Sequence, residues 1–266
     1  MSIDTTAPRF TPDPPAPADA VAPGRDDALR ELLTAEAELG AAGFTRVPGS
    51  EQHGGSVWVA EVASGYPACD LWRTFRDRFE QTGFWPILVE GSTLDHPGEP
   101  ETVPGQLDGA AVLTDRATTR EYGDPVRAEI DLGDADDPDR YDGFDWADTW
   151  AIIGDEFDRI ALVPAAAPWL VPARLGWQGA CNAGLDGAEH AAVLRRWHHL
   201  YRAELLAIGF DTIWFRHERP LPDRATALAA AREAFAYCPD AVHQDYGSLD
   251  GVAERLLRPI WRLWWD

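Results

Sequence analysis

Lysine is absent from this chain of 266 residues, and arginine supplies all 23 of its basic side chains. This absence excludes a phosphate-loop lysine, a Schiff-base lysine and a kinase-type lysine. The only methionine is Met1. A GC-rich genome, which replaces lysine by arginine, explains this bias better than selection for a function.

Cysteine is also scarce. Cys69, Cys181 and Cys238 are too few and too scattered for a disulfide framework or a zinc ribbon. No run of about 18 apolar residues could span a membrane, and no charged n-region precedes an apolar h-region as in a signal peptide. We therefore expect a cytoplasmic protein.

Negative charge is the most prominent feature that is present. The formal net charge is -22 for 29.3 kDa, while 45% of the residues are apolar and 11% aromatic. Such a composition supports a folded core and is unlike that of a disordered chain. The charge repels nucleic-acid phosphates and anionic membranes and favours a basic partner.

The composition changes along the chain and predicts four parts. Six prolines fall within the first 24 residues, which is typical of a disordered or polyproline leader. The predicted parts are a disordered Pro/Ala-rich leader (1–24), an N-terminal α/β part of the same domain (25–91), a variable acidic insertion (92–158) and a C-terminal α+β core (159–266).

The insertion contains ten acidic residues and two arginines between Asp124 and Asp148. A calcium loop of the EF-hand type needs oxygen ligands at positions 1, 3 and 5 and glycine at position 6. Registers beginning at Asp134 and Asp137 both fail this requirement. We expect a solvated acidic loop and no metal site here.

Hydrophobic periodicity predicts alternating helices and strands on both sides of the insertion. A helix that begins near Asp26, a glycine stop at Gly83 and a serine cap at Ser248 are the clearest local signals. "LLAIGF" and "DTIWFRH" predict a β-hairpin.

The last nine residues, "RPIWRLWWD", predict a final strand after Pro259. Trp261, Leu263 and Trp265 would lie on one face of this strand and Ile260 and Trp264 on the other. A strand that is apolar on both faces indicates an inner strand covered on both sides. We therefore predict an α+β fold, with a mixed β-sheet of about five to seven strands covered by helices and with the C-terminal strand inside.

The segments "TGFWPILVEG", "LVPA", "GWQGACN", "GFDTIWF", "FAYCPDAVHQ" and "WRLWWD" follow one another over about residues 80–266. In this order and spacing they resemble the bacterial family known as domain of unknown function 4253. The resemblance implies an α+β domain but supplies no activity. It also implies that the Cys-Asn, Cys-Pro-Asp and Trp-Trp-Asp positions are family features, either structural or functional.

Cys181, Cys238 and Asp240 are the candidate catalytic residues. A nucleophilic cysteine needs a lowered thiol pKa, usually from a nearby histidine or a helix N-terminus. Histidines occur in the same half, but no local signature joins them to either cysteine. Cys238 would follow a helix, where the dipole disfavours a thiolate. A structural role is therefore favoured for both cysteines.

Three further interpretations concern histidines and carboxylates. His190 and His198 share a helix face, and we interpret them as solvated because no HExxH-type pattern supports a metal. Asp240 is expected to cap a turn. Asp266 is expected to be held by an arginine such as Arg255 or Arg258.

We expect a non-enzymatic acidic binding protein that docks a basic protein partner, similar to an immunity protein or an inhibitor. Alternatives are an enzyme that uses Cys181 or Cys238, and a small-molecule or regulatory module in which Trp177 lines an apolar pocket. No cofactor, nucleic-acid or membrane interaction is expected. The candidate binding residues are Trp177, Asn182, Asp240, Gln244 and Asp266.

Overall fold

The structure is a computed structural model. It describes the following residues: 10–11, 13, 24–35, 40, 42–47, 50, 55–62, 66–91, 93–94, 99, 107–119, 153, 156–217 and 220–266. The acidic segment 124–148, both calcium-loop registers and most of the proposed leader lie outside the described residues.

A mixed sheet of seven strands forms the centre of the described part of the chain. The strands are β1 (Thr45–Arg46), β2 (Trp58–Glu61), β3 (Phe84–Val89), β4 (Arg159–Pro164), β5 (Ala203–Ile208), β6 (Thr212–His217) and β7 (Ile260–Trp264). Their order is β1-β2-β4-β3-β5-β6-β7. All pairings are antiparallel except that of β3 with β5. The predicted α+β class with a mixed sheet is confirmed.

Helices connect these strands. They are α1 (Asp26–Ala35), α2 (Tyr66–Asp77), α3 (Phe79–Thr82), α4 (Gly109–Thr119), α5 (Val171–Leu175), α6 (Gly187–Tyr201), α7 (Arg224–Tyr237) and α8 (Leu249–Leu256). Short 3-10 turns cover Pro168–Leu170 and Cys181–Ala183, and a π turn covers Ala241–Tyr246. None of the helices in the described part of the chain has the length and apolar character needed to cross a bilayer.

Local signals set several element boundaries, as the sequence predicts. Gly83 ends α3 in the left-handed region at φ 67°, and its N–H donates to the Phe79 carbonyl at 2.7 Å. A residue with a Cβ is strained in this conformation, which explains the glycine. Ser248 caps α8 by accepting a hydrogen bond from the Gly251 N–H at 3.0 Å.

The position of β7 differs from the prediction of an inner strand. β7 is the last strand in the order and pairs with β6. Trp261, Leu263 and Trp265 are buried on one face, but Arg262 and Trp264 on the other are only partly covered. Burial of one face by helices produces the apolar pattern that suggested a central strand, so the pattern does not reveal lateral position.

Residues of the predicted disordered leader make specific contacts with the core. Asp13 is only 7% exposed and lies 2.8 Å from the Arg196 guanidinium. Gly24 donates its N–H to the Gly83 carbonyl at 2.8 Å, and a Cβ at this glycine would lie 2.2 Å from the Phe84 ring. Asp13 and Gly24 thus contact residues that are distant from them in sequence.

The indole of Trp261 anchors β7 in the core. Its Nε1–H donates to the Leu256 carbonyl at 2.8 Å, and its ring makes an edge contact with Trp197 at a centroid distance of 6.0 Å. Such a side chain combines a large buried area with a satisfied polar atom.

Replacement of Trp261 by alanine should lower the free energy of unfolding by about 3–5 kcal/mol, because a large cavity replaces a fully buried indole. Urea unfolding followed by circular dichroism measures this loss. Phe210→Ala is the matched control, since Phe210 is 72% exposed and its loss should cost less than about 0.5 kcal/mol. Equal losses for the two variants would contradict this account of the core.

Candidate functional site

Four of the candidate binding residues form one hydrogen-bonded chain at the C-terminal end of β7. The Asn182 side-chain amide donates to the Asp266 carbonyl at 3.3 Å, and the Asp266 N–H donates to Asp240 Oδ2 at 3.3 Å. Gln244 donates to Asp240 Oδ1 at 3.0 Å. The structure thus brings together residues that are 84 positions apart in sequence.

These contacts revise two expectations. Both carboxylate oxygens of Asp240 accept hydrogen bonds, from Gln244 and Asp266, and its side chain does not cap the following turn. Asp266 is held through its backbone by Asn182 and Asp240, where an arginine clamp from Arg255 or Arg258 was expected. The reason is the position of Asp266 just beyond an edge strand, where backbone groups need partners.

Cys238 is a structural residue of the same edge. Its buried thiol donates to the Trp264 carbonyl at 3.0 Å. Burial raises the pKa of the Cys238 thiol well above its usual range. The hydrogen-bonded, protonated thiol is the opposite of an activated nucleophile. The Cys-Pro-Asp segment therefore covers the outer edge of β7 with the thiol of Cys238 and the carboxylate of Asp240.

Cys181 lies in the exposed 3-10 turn Cys181–Ala183. Its Sγ is 3.9 Å from the Asn182 side-chain oxygen, which is a neutral amide and no general base. The contacts of Cys181 and Cys238 thus supply neither the imidazole nor the helix N-terminus that a cysteine nucleophile requires. Within the described residues, no group of three or more His, Cys, Asp or Glu side chains is arranged to hold a metal ion.

Trp177 is part of the interior. Its Nε1–H donates to the Gly209 carbonyl at 3.0 Å, and its ring makes an edge contact with Trp265 at 5.6 Å between centroids. A small cavity, with room for about one water molecule, lies elsewhere, between Trp169, Leu194 and Phe215. Neither feature offers the apolar pocket expected of a small-molecule module.

His190 is fully buried beside Trp177, and the interpretation of this residue as a solvated histidine is wrong. Its Nδ1 lies 2.6 Å from the hydroxyl oxygen of Tyr237. Burial lowers the pKa of His190 to about 3, and the charge of Arg116 contributes to the shift. The partner residue is 47 positions away in sequence, so periodicity along α6 could not identify it.

One end of the sheet is lined with carboxylates. The register pairs the end of β2 and the end of β3 with the start of β4, and the β5–β6 turn lies beside the ends of β3 and β7. We call this surface the acidic end. Its acidic residues, each within three positions of a strand end, are Glu61, Glu90, Glu156, Asp158, Asp211 and Asp266.

The charge is concentrated at this end. Desolvation raises the pKa of the Glu156 carboxyl; the charge of Arg262 opposes this shift and the Glu90 carboxylate adds to it, so both charged groups lie near Glu156. Arginines flank the opposite ends of three strands, namely Arg202 before β5, Arg216 within β6 and Arg258 before β7. Arg159, at the start of β4, also lies at the acidic end and donates to the Gly91 carbonyl at 2.7 Å, so the six carboxylates outnumber the arginines there but are not free of them.

Phe210 projects from the middle of the acidic end. It is 72% exposed, the largest exposed fraction of any large hydrophobic side chain in the described part of the chain. The sequence placed Phe210 in the tight turn of a hairpin, but the turn alone does not reveal which way its ring points. In the structure, the ends of β3 and β7 lie on either side of this turn, so Phe210 lies between them at the acidic end.

Iodoacetamide at neutral pH should modify one cysteine of the native protein, Cys181, because the other two are buried. Burial raises the pKa of Cys69 to about 12, and that of Cys238 is also raised. Mass spectrometry before and after denaturation counts the modified thiols. Cys181→Ser should abolish native labelling, and native labelling of Cys238 would contradict the structural assignment.

Acidification should destabilise the protein through His190. Its pKa is about 3 when folded and about 6.5 when unfolded, so the unfolded state binds the extra proton in this window. Stability due to the neutral imidazole is complete above pH 6.5 and decreases as the pH falls towards 3. Between pH 6.5 and 5 the loss should be roughly 2 kcal/mol.

Urea unfolding of His190→Phe over the same pH range isolates this contribution. The variant should have a shallower pH dependence than the wild type, whatever its absolute stability. His243→Phe is the matched control, since His243 is exposed. An unchanged slope in His190→Phe would rule out the buried neutral imidazole.

Comparison with known proteins finds one family model that matches part of the chain. Residues 159–266 match the model of a family described as a domain of unknown function (DUF4253). The predicted resemblance is confirmed over this range, while "TGFWPILVEG" lies before it. No curated protein and no solved structure matches the chain. The matched residues, 159–266, form β4 to β7 and contribute Asp211 and Asp266 to the acidic end, so this part of the chain is similar to the DUF4253 family.

Proposed function

We propose that this protein is a non-enzymatic binding protein that docks a basic protein partner through its acidic end. The observation that carries the proposal is Phe210, a largely exposed aromatic side chain among the carboxylates of the strand ends. Aromatic side chains in the centre of a charged rim are typical of residues that dominate binding energy at protein interfaces.

The backbone under Phe210 is fixed on several sides. Its N–H donates to Glu90 Oε2 at 3.3 Å, and a Cβ at Gly179 would lie 2.5 Å from its carbonyl oxygen. Asp211 accepts hydrogen bonds from the Trp264 indole at 3.0 Å and, through its carbonyl, from the Trp265 N–H at 3.1 Å. A preorganised turn loses little conformational entropy on binding, which favours affinity.

The surrounding charge favours a cationic partner. Carboxylates on the acidic end attract a basic surface over about a Debye length and increase the association rate. The chain also leaves β3 at Glu90 and returns to β4 at Asp158, both on this end. The ten acidic residues of 124–148 belong to this connection between β3 and β4.

The contacts of the cysteines favour binding over catalysis. The Cys238 thiol is engaged with the Trp264 carbonyl, and the Cys181 thiol neighbours an amide. The acidic end, by contrast, combines an exposed apolar group with an excess of carboxylates, which suit an immunity-like or inhibitor-like role.

The test is affinity capture from the source organism's lysate at low and high salt, with wild-type protein and variants in parallel. We expect a basic protein whose recovery decreases with salt. Phe210→Ser should weaken binding of the purified partner about thirtyfold, the loss of about 2 kcal/mol typical of a central aromatic contact. Leu200→Ser is the control, because Leu200 is 42% exposed but lies outside the acidic end.

A charge-matched pair of triple variants tests the electrostatic part. Glu61→Gln, Glu90→Gln and Glu156→Gln together should weaken binding about tenfold at low salt. The control removes three exposed carboxylates from helices, Glu31, Asp70 and Glu80, and should leave affinity nearly unchanged. A partner that binds all these variants equally, or that is indifferent to salt, would refute the proposal.

A further inference from the structure

A carboxylate from the N-terminal residues occupies a buried cationic site on the far side of the helical layer. Asp13 Oδ1 lies 2.8 Å from Arg196 Nη1, and Asp13 Oδ2 lies 3.8 Å from Arg195 Nη2. The Gly109 N–H donates to Asp13 Oδ2 at 2.7 Å and the Ala110 N–H donates to Oδ1 at 3.3 Å. Two arginines and two backbone N–H groups thus surround one carboxylate.

The arginine at the base of this site is deeply buried. Only 1% of the Arg196 side chain is exposed. Glu233 binds one edge of the guanidinium, with Nε to Oε2 at 3.1 Å and Nη2 to Oε1 at 2.6 Å. The remaining nitrogen, Nη1, points to Asp13 and to the Thr11 carbonyl at 2.6 Å. Apart from these N-terminal residues, nothing described neutralises that edge of the guanidinium.

The contribution of α4 to this site depends on Gly109. Gly109 begins α4, and a Cβ at this position would lie 2.6 Å from the Ala192 carbonyl and 3.0 Å from Arg196 Cβ. Glycine therefore lets the N–H groups of the first turn of α4 approach Arg196 closely. These groups carry the positive end of the helix dipole.

The charges balance only while Asp13 is present. Arg195 and Arg196 carry two positive charges, and Glu233 and Asp13 carry two negative charges. Without Asp13, Arg195 would keep its hydrogen bond to the Leu107 carbonyl at 2.6 Å and Asp108 its own to the Ala111 N–H at 2.8 Å, while the Nη1 edge of the Arg196 guanidinium and two N–H donors would lose their carboxylate. This is the donor set that binds phosphate or carboxylate groups.

We propose that Asp13 is an intramolecular ligand of an anion-binding site formed by Arg195, Arg196 and the first turn of α4, and that a phosphate-bearing molecule competes with it. Asp13 then occupies the site until such a ligand displaces its carboxylate. This site is distinct from the acidic end, so its test is independent of the proposed partner.

The experiment uses the full chain and inorganic phosphate. Asp13→Ala should lower the thermal unfolding midpoint, and phosphate should raise it saturably by roughly 5 °C between 0 and 50 mM. The wild type should respond little, because a tethered carboxylate acts at an effective concentration of the order of millimolar or more. Adding Arg195→Gln to Asp13→Ala should reduce the phosphate response severalfold.

Two further variants keep the result decisive. Asp13→Asn retains an acceptor for the Gly109 N–H, so it should fold and respond to phosphate even if the alanine variant does not fold. Asp26→Ala is the control, because Asp26 is also a shielded partner of an arginine, Arg46 at 2.6 Å. It should be destabilised without gaining a phosphate response. Equal responses in wild type and Asp13 variants, or no response in either variant, would overturn the proposal.

Discussion

The outer edge of β7 imposes the constraint on which the C-terminal end of the molecule depends. An edge strand has backbone N–H and C=O groups that no neighbouring strand satisfies, and here its residues are partly shielded from water. The Trp264 carbonyl accepts a hydrogen bond from the Cys238 thiol, and the Asp266 N–H donates one to the Asp240 carboxylate. Because these partners all lie in or next to the Cys-Pro-Asp and Trp-Trp-Asp segments, each segment supplies hydrogen-bond partners for the other.

This arrangement divides the candidate residues into those that stabilise the fold and those that are accessible at the surface. The residues that looked most reactive in the sequence, Cys238 and Asp240, complete the edge of the sheet. Trp177 and His190 fill the core behind it. The carboxylates at the strand ends and the ring of Phe210 remain accessible, which favours recognition over catalysis.

The features that the sequence predicted correctly are those that depend on interactions between residues close together in the chain. The glycine stop at Gly83, the serine cap at Ser248 and the hairpin around Phe210 depend on a few adjacent residues, and the structure has all three. The lateral position of β7, the partner of His190 and the contacts of Asp13 depend on segments that are distant in sequence. Hydrophobic periodicity reports only that a face is covered, and it carries no information about which distant segment covers it.

The connection between β3 and β4 has a consequence for how such a protein can diversify. These strands pair along six residues each, so their register is set by the sheet and not by the 69 residues, 90–158, that join them. Lengthening a loop costs little free energy, roughly 0.6 kcal/mol per doubling. Changes of length or charge in this connection outside α4, whose Leu113 is buried in the core, can therefore alter what the protein recognises while the scaffold stays the same.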